Sequence, residues 1–288
     1  MSAGARISAD PLVEAQRHCT ALARDHARDQ WLAALYASPA ARDGLLALAA
    51  FEYEIRQASV RARDPHLAAI RLLWWRGVVR GEREAEAAGN PVALAFRAAI
   101  VRFGAPVDLV EDMLDGRLEE LAPADPFDLA AFASFAAASE GARFRLASRI
   151  VAAGHDLDAA STHEPAGLAL ALTRMLDELP TREKPTLVPI DVAARHRATA
   201  ADFDDRRATP AVVATLSELR AMAREKLHEA ERRLKDSPPA IRPAFVPLAT
   251  ARLELDQLER NGTRPFEPAP EVSPLRRQWA IWRWARRF

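Results

Sequence analysis

Prolines at 39, 65, 91, 106 and 126 each stand where a helix would begin, and the stretches between them are rich in alanine, leucine, arginine and glutamate. Those residue types are strong helix formers, and proline is tolerated in a helix only in its first turn. Extended signals are almost absent. Only Thr186-Leu187-Val188 reads as strand, and it is short and enclosed by Pro185 and Pro189. A chain written this way must bury helix faces against other helices. Apolar periodicity and helix punctuation place helices at 10–37, 40–62, 65–88, 91–103, 106–121, 127–153, 164–179, 210–236, 239–260 and 273–287. The breaks at 180–189 and 198–209 are too short and too mixed in composition to be domain linkers. The expectation is one all-α domain over residues 1–288, a bundle of about ten helices. Leu48, Phe51 and Ile55 should face its core, as should Leu168, Leu172, Met175 and Leu179, because both sets recur at helical spacing.

Charge and motif content exclude several function classes. The 40 basic and 40 acidic residues balance, so bulk charge favours no polyanion and nucleic acid is not an expected partner. Cys19 is the lone cysteine, which rules out an internal disulfide or a cysteine metal cluster and fits a reducing compartment. Residues 1–11 lack the apolar stretch of a signal peptide, and no uncharged apolar run is long enough to span a bilayer. The expected location is cytoplasmic, with peripheral attachment to the inner face of the membrane as the other option. The seven histidines form no HxxxH or HExxH pattern, and no Gly-rich phosphate loop or Ser/His nucleophile motif is present. Asp25 and Asp29 form an accidental DxxxD near the N-terminus, and two further carboxylate groupings read first as solvated: the stripe Glu111, Asp115 and Glu119, and the cluster Asp202, Asp204 and Asp205, the last expected in a loop.

One ordered set of segments is more specific. Trp31 to Arg42 is followed by Leu48-Ala49-Ala50-Phe51 and by Ile70-Arg71-Leu72-Leu73-Trp74-Trp75-Arg76. Then come Asp115-Gly116-Arg117 with Glu120, Phe135 with Gly141, Gly167 to Thr173, and Leu187-Val188-Pro189. In this order and spacing the chain resembles the squalene/phytoene synthase family from about Leu12 to Phe288. The IRLxWWR block resembles a divergent branch that includes a mitochondrial complex I assembly factor and its bacterial relatives. The resemblance implies an isoprenoid-synthase fold around a central cavity. In that family two aspartate-rich motifs hold Mg²⁺, which holds the prenyl diphosphates that are joined head to head.

Those motifs are degenerate in this chain. Set against the first, Arg56 and Gln57 fall at the first aspartate pair and Val60 one turn later, with Glu52 and Glu54 earlier. Glu52 lies four residues before Arg56, the spacing of an ion pair within a helix. Set against the second, Glu178 falls at the first aspartate and Arg182 at the next, giving a stripe Arg174, Glu178, Arg182. Mg²⁺ takes oxygen ligands, and a guanidinium at such a position repels it. The stripe reads either as a salt-bridged solvent face or as a neutralised remnant of the motif. Phe135 stands where a pocket tyrosine is usual, Arg42 matches a recurring arginine, and Glu120 stands for an aspartate. The resemblance thus implies a non-catalytic protein without cofactor, acting as a respiratory-complex assembly factor or a lipid-binding adaptor. A corollary is a cationic cavity in which Arg56, Arg174 or Arg182 meets a lipid headgroup or prenyl diphosphate. The alternative is an active Mg²⁺-dependent prenyl transferase with shifted ligands from Glu52, Glu54, Asp177 and Glu178.

The segment 272–288 has five arginines, three tryptophans and no acid. On a helix, Leu275, Trp279 and Trp282 share one face, Arg276, Arg283 and Arg287 an adjacent one, and Ile281, Trp284 and Phe288 the far side. Two readings stand: a helix docked on the bundle with solvated arginines, or an amphipathic helix on an anionic membrane surface.

Overall fold

The structure is a computed structural model and describes residues 10–61, 65–121, 127–157, 160–181 and 187–287, without the side chains of 59–61 and 160. Arg182, Phe288 and the side chain of Val60 therefore lie outside the described residues. No strand occurs among the described residues. The helices are α1 (Pro11–His26), α2 (Arg28–Ala34), α3 (Pro39–Arg61), α4 (Pro65–Arg80), α5 (Glu84–Ala88), α6 (Pro91–Phe103), α7 (Val107–Leu121) and α8 (Leu129–Ala136). A π turn, Ala137–Gly141, joins α8 to α9 (Ala142–Val151). Then follow α10 (Ala160–Glu178), α11 (Ile190–Arg195), α12 (Ala200–Asp204), α13 (Pro210–Asp236), a 3₁₀ segment Pro239–Phe245, α14 (Leu248–Arg260) and α15 (Pro274–Ala285).

The caps explain where helices start. Asn90 and Asp128 each accept a hydrogen bond from the backbone N–H three residues on, at 3.0 and 2.8 Å, which satisfies donors the first turn leaves free. Several of the long expected helices are divided. Residues 10–37 break at Ala27, whose φ of −136° is not helical. Residues 127–153 are interrupted by the π turn, and 239–260 begin as 3₁₀. Two short helices, α11 and α12, were not expected. Thr199 and Asp202 close α12 with a capping box, so Asp202 belongs to a helix start and not to a solvated loop. The acidic stripe on α7 is also engaged: Asp115 pairs with Arg76, and Glu111 pairs with Arg80 at 2.5 Å, tying α7 to α4.

One hydrophobic core runs from Ala15 to Trp284. Phe51, Ile55, Leu172, Met175 and Leu179 are buried in it as the periodicity requires, while Leu168 packs at its margin. Adjacent tryptophans diverge: Trp75 is buried edge-on to Phe51, and Trp74 donates to Glu86 at 2.6 Å, holding α5 to α4. At the centre, α10 lies against α13 on one side and the π turn on the other. A Cβ on Gly167 would come within 2.7 Å of the Gly141 nitrogen, so two backbones touch where any larger residue would separate them. On the opposite side of the turn, Gly116 of α7 faces Ser139 at 3.1 Å from its would-be Cβ. The π turn is thus clamped between α7 and α10.

Buried His163 is held by Ser148 at 2.9 Å and stacks on Phe245. Burial, aided by Arg145, pushes its pKa from 6.5 down to about 4. An unfolded chain takes up this proton near pH 6.5 and the folded chain only near 4, so stability falls as pH drops through that window. Urea unfolding across the window should show wild type losing about 3 kcal/mol more than His163→Gln. Equal losses would show that the ring does not titrate in this way.

Candidate functional site: a neutralised interior beside an acidic cleft

Five elements converge at the middle of the bundle and bring charged side chains together. α3 supplies Glu52 and Arg56, α7 supplies Arg117 and Glu120, the π turn supplies Glu140, α9 supplies Arg143, and α10 supplies Arg174 and Glu178. Arg143 Nε lies 2.6 Å from Glu52 Oε1, with both side chains buried. Glu52 therefore pairs across to α9, and Arg143 is the partner in place of the expected Arg56. Arg174 pairs with Glu140. Arg117 Nη1 lies 2.7 Å from Glu120 Oε1, and its Nη2 lies 3.8 Å from Glu140. Arg56 is within electrostatic reach of Glu178, Glu52 and Glu120.

The titration behaviour follows from that arrangement. Burial lowers the Arg56 pKa, Arg117 lowers it further, and the three glutamates oppose the shift. Burial, then the charge of Arg56, brings Arg174 down to about 9, which leaves it protonated at neutral pH. Burial also depresses Arg117, but Glu120, Glu178 and Glu52 outweigh it and its pKa rises. Among the described residues the interior holds four guanidinium groups and four carboxylates, whose formal charges cancel. Of the arginines expected in a cationic cavity, Arg174 meets Glu140, Arg56 lies within reach of three glutamates, and Arg182 lies outside the described residues. Phe135 borders the same network. Three small cavities, about 20, 20 and 10 Å³, lie against it.

A much larger cleft, about 750 Å³, lies beside the network between the α1–α2 junction, α3, the end of α10, α14 and residues 269–274. Glu52, Arg56 and Gln57 form part of its wall. Asp177 faces this cleft while Glu178 faces the network, as adjacent residues on a helix must diverge. Asp25 and Asp29 also line the cleft, which places them next to the first motif in space though not in sequence. Among the described residues the wall has six carboxylates (Asp25, Asp29, Glu52, Asp177, Glu254 and Glu271) against three arginines, Arg28, Arg56 and Arg277. Arg277 reaches Asp29 at 2.6 Å and Glu254 at 2.8 Å. Burial raises the pKa of Glu254, and the charges of Asp177 and Asp29 add to that, against Arg277. Asp177 is raised by burial and then by Glu178. Arg42 lies apart from both sites: its guanidinium donates to the Leu35 carbonyl at 3.3 Å, about 21 Å along α3 from Arg56.

These donors do not suit magnesium. The glutamates of the interior each face at least one guanidinium, and among the described residues no three His, Cys, Asp or Glu side chains converge to hold a metal ion. Arg117, Glu140 and Arg143 complete the network and were not singled out as site residues. Their only sequence signal was position, beside Gly116 and Gly141 in segments already matching the family.

The fold and this interior define an all-α protein of the isoprenoid-synthase class. The squalene/phytoene synthase family profile matches residues 23–283, and the chain belongs to that family. A dehydrosqualene synthase in complex with ligand aligns over 96% of this chain and 99% of its own, at 15% identity and a TM-score of 0.78. Squalene synthase HpnC from Alicyclobacillus acidocaldarius aligns over 88% and 97%, at 19% identity and a TM-score of 0.70. YisP from Bacillus subtilis aligns over 94% and 96%, at 16% identity and a TM-score of 0.71. No curated protein matches the chain closely enough to count as a relative.

Removing one partner of a buried ion pair leaves an uncompensated charge and costs about 3–5 kcal/mol, whereas replacing both with apolar residues can be neutral. Glu140→Ala should therefore lower the urea-derived stability by about that amount, and Glu140→Leu combined with Arg174→Met should regain most of it. A double variant as unstable as the sum of the singles would show that the pair is not coupled.

Proposed function

We propose that this chain is a non-catalytic member of the squalene/phytoene synthase family that acts by binding, as an assembly factor or adaptor. The observation behind this reading is the pairing of Glu52 with Arg143 and of Glu140 with Arg174. A diphosphate-handling site needs carboxylates free to ligate Mg²⁺, and here the interior carboxylates are engaged by guanidinium groups. The active alternative would draw on Glu52, Glu54, Asp177 and Glu178. Glu52 is paired with Arg143 of α9, Asp177 faces the cleft while Glu178 faces the network, and no three acidic side chains group to hold a metal among the described residues, which weighs against that alternative.

A prenyl diphosphate or lipid headgroup held without metal is disfavoured in the large cleft, where six carboxylates face three arginines. A protein partner is supported by a different feature. The IRLxWWR block that carries the resemblance to the assembly-factor branch also lies on α4, where Leu67, Ile70 and Leu73 are 55, 60 and 51% exposed. Exposed apolar side chains grouped on one side of a helix suit a protein contact, and a respiratory-complex subunit or assembly intermediate is the partner this reading names.

Incubation with farnesyl or geranylgeranyl diphosphate and excess Mg²⁺ tests the proposal. The expected outcome is no turnover above a protein-free control. Steady formation of a coupled hydrocarbon product would reject it and restore the shifted-ligand alternative.

A further inference from the structure

We infer that the outward face of α15 docks the protein on an anionic lipid surface. This is independent of whether the interior retains chemistry. The helix resolves its two faces cleanly. Arg277, Ile281 and Trp284 recur at i, i+4, i+7 and point into the bundle, with Ile281 and Trp284 buried and Arg277 bridging Asp29 and Glu254. The inward side is docked on the bundle, which leaves the outward side for the surface contact inferred here. Opposite lie Leu275, Trp279 and Trp282, which are 78, 57 and 42% exposed. Burying two indoles and a leucine in an interface removes apolar area that the bundle leaves in water.

Charge complementarity selects the occupant. Residues 272–288 hold five arginines and no acid, leaving 35 basic against 40 acidic residues in the rest of the chain. This face is thus the cationic end of an otherwise acidic molecule. Arg277 is turned inward, so Arg276, Arg283, Arg286 and Arg287 remain at the surface, and none of the four has an ion pair among the described residues. Arg283 lies over the Trp279 ring at 4.5 Å and Arg286 over the Trp282 ring at 4.9 Å. Guanidinium groups and indoles are thus held side by side, the combination that sits at headgroup depth in a bilayer. Leu275 distinguishes this surface from one built for nucleic acid, since an exposed aliphatic chain gains nothing from phosphates or base stacking. No helix among the described residues is long and apolar enough to cross a membrane, so the contact is one of lying on the surface.

Sedimentation of the full chain with phosphatidylcholine vesicles, with and without phosphatidylglycerol, tests the inference. The wild-type chain should pellet with the mixed vesicles, weakly with phosphatidylcholine alone, and be released by high salt. Each arginine near an anionic surface multiplies binding by about fivefold, so Arg283→Glu with Arg286→Glu should reduce it by about tenfold or more. Trp279→Ser with Trp282→Ser should reduce it as well. Both variants change exposed side chains and should keep the wild-type melting curve. As a measurement free of substitutions, brominated acyl chains in the mixed vesicles should quench tryptophan emission of the wild-type chain. Unquenched emission, unchanged binding by the charge-reversed variant, or retention on single-stranded RNA without vesicle binding would overturn the inference.

Discussion

Glu140 is the pivot of this interior. It is buried, it pairs with Arg174 on α10, and it lies within reach of Arg117 on α7. It sits there because the chain widens into a π turn at Ala137–Gly141, and because Gly116 and Gly167 let α7 and α10 close on that turn from both sides. π turns within helices often mark places where function has reshaped a regular element. Here the turn delivers a carboxylate to the spot where arginines from two other helices would otherwise repel each other. Without it, Arg56, Arg117 and Arg174 would share a buried space with too few counter-charges.

The same network accounts for how this chain relates to its family. The scaffold is shared: the bundle aligns over nearly the whole length of the three solved structures despite identities below 20%. The interior carries a network of paired charges. Buried ions cost several kcal/mol each to desolvate, and only good geometry and mutual pairing offset that cost. Among the described residues, four acids and four arginines of the interior balance one another. The neighbouring cleft follows a similar pattern with less balance, since Arg277 alone bridges two of its six carboxylates.

Much of this was legible in the sequence where it depended on local pattern. Prolines at helix starts follow from the first turn's tolerance of a missing N–H, and the divergence of Trp74 from Trp75, the opposed facing of Asp177 and Glu178, and the two sides of α15 follow from 3.6 residues per turn. The expectation that Arg56 stands at a motif acid came from the resemblance, and the structure places Arg56 in the charged interior. The parts that were not legible depend on pairings between distant segments. Nothing in the spacing joins Glu52 to Arg143 or Arg277 to both Asp29 and Glu254, because these depend on how helices cross. The π turn arises from backbone contact between Gly141 and Gly167, which apolar periodicity does not encode. α11 and α12 are too short to show a period, and the capping pair Thr199 and Asp202 was read only as part of an acidic loop.

Diffraction from crystals soaked in Mn²⁺ with inorganic diphosphate, recorded at an energy where manganese scatters anomalously, reads the central claim directly. An interior whose carboxylates are already matched by guanidinium groups should show no anomalous peak between α3 and α10. A peak ligated there by Glu52, Glu120 or Glu178 would contradict the account and mean that the network opens to admit metal.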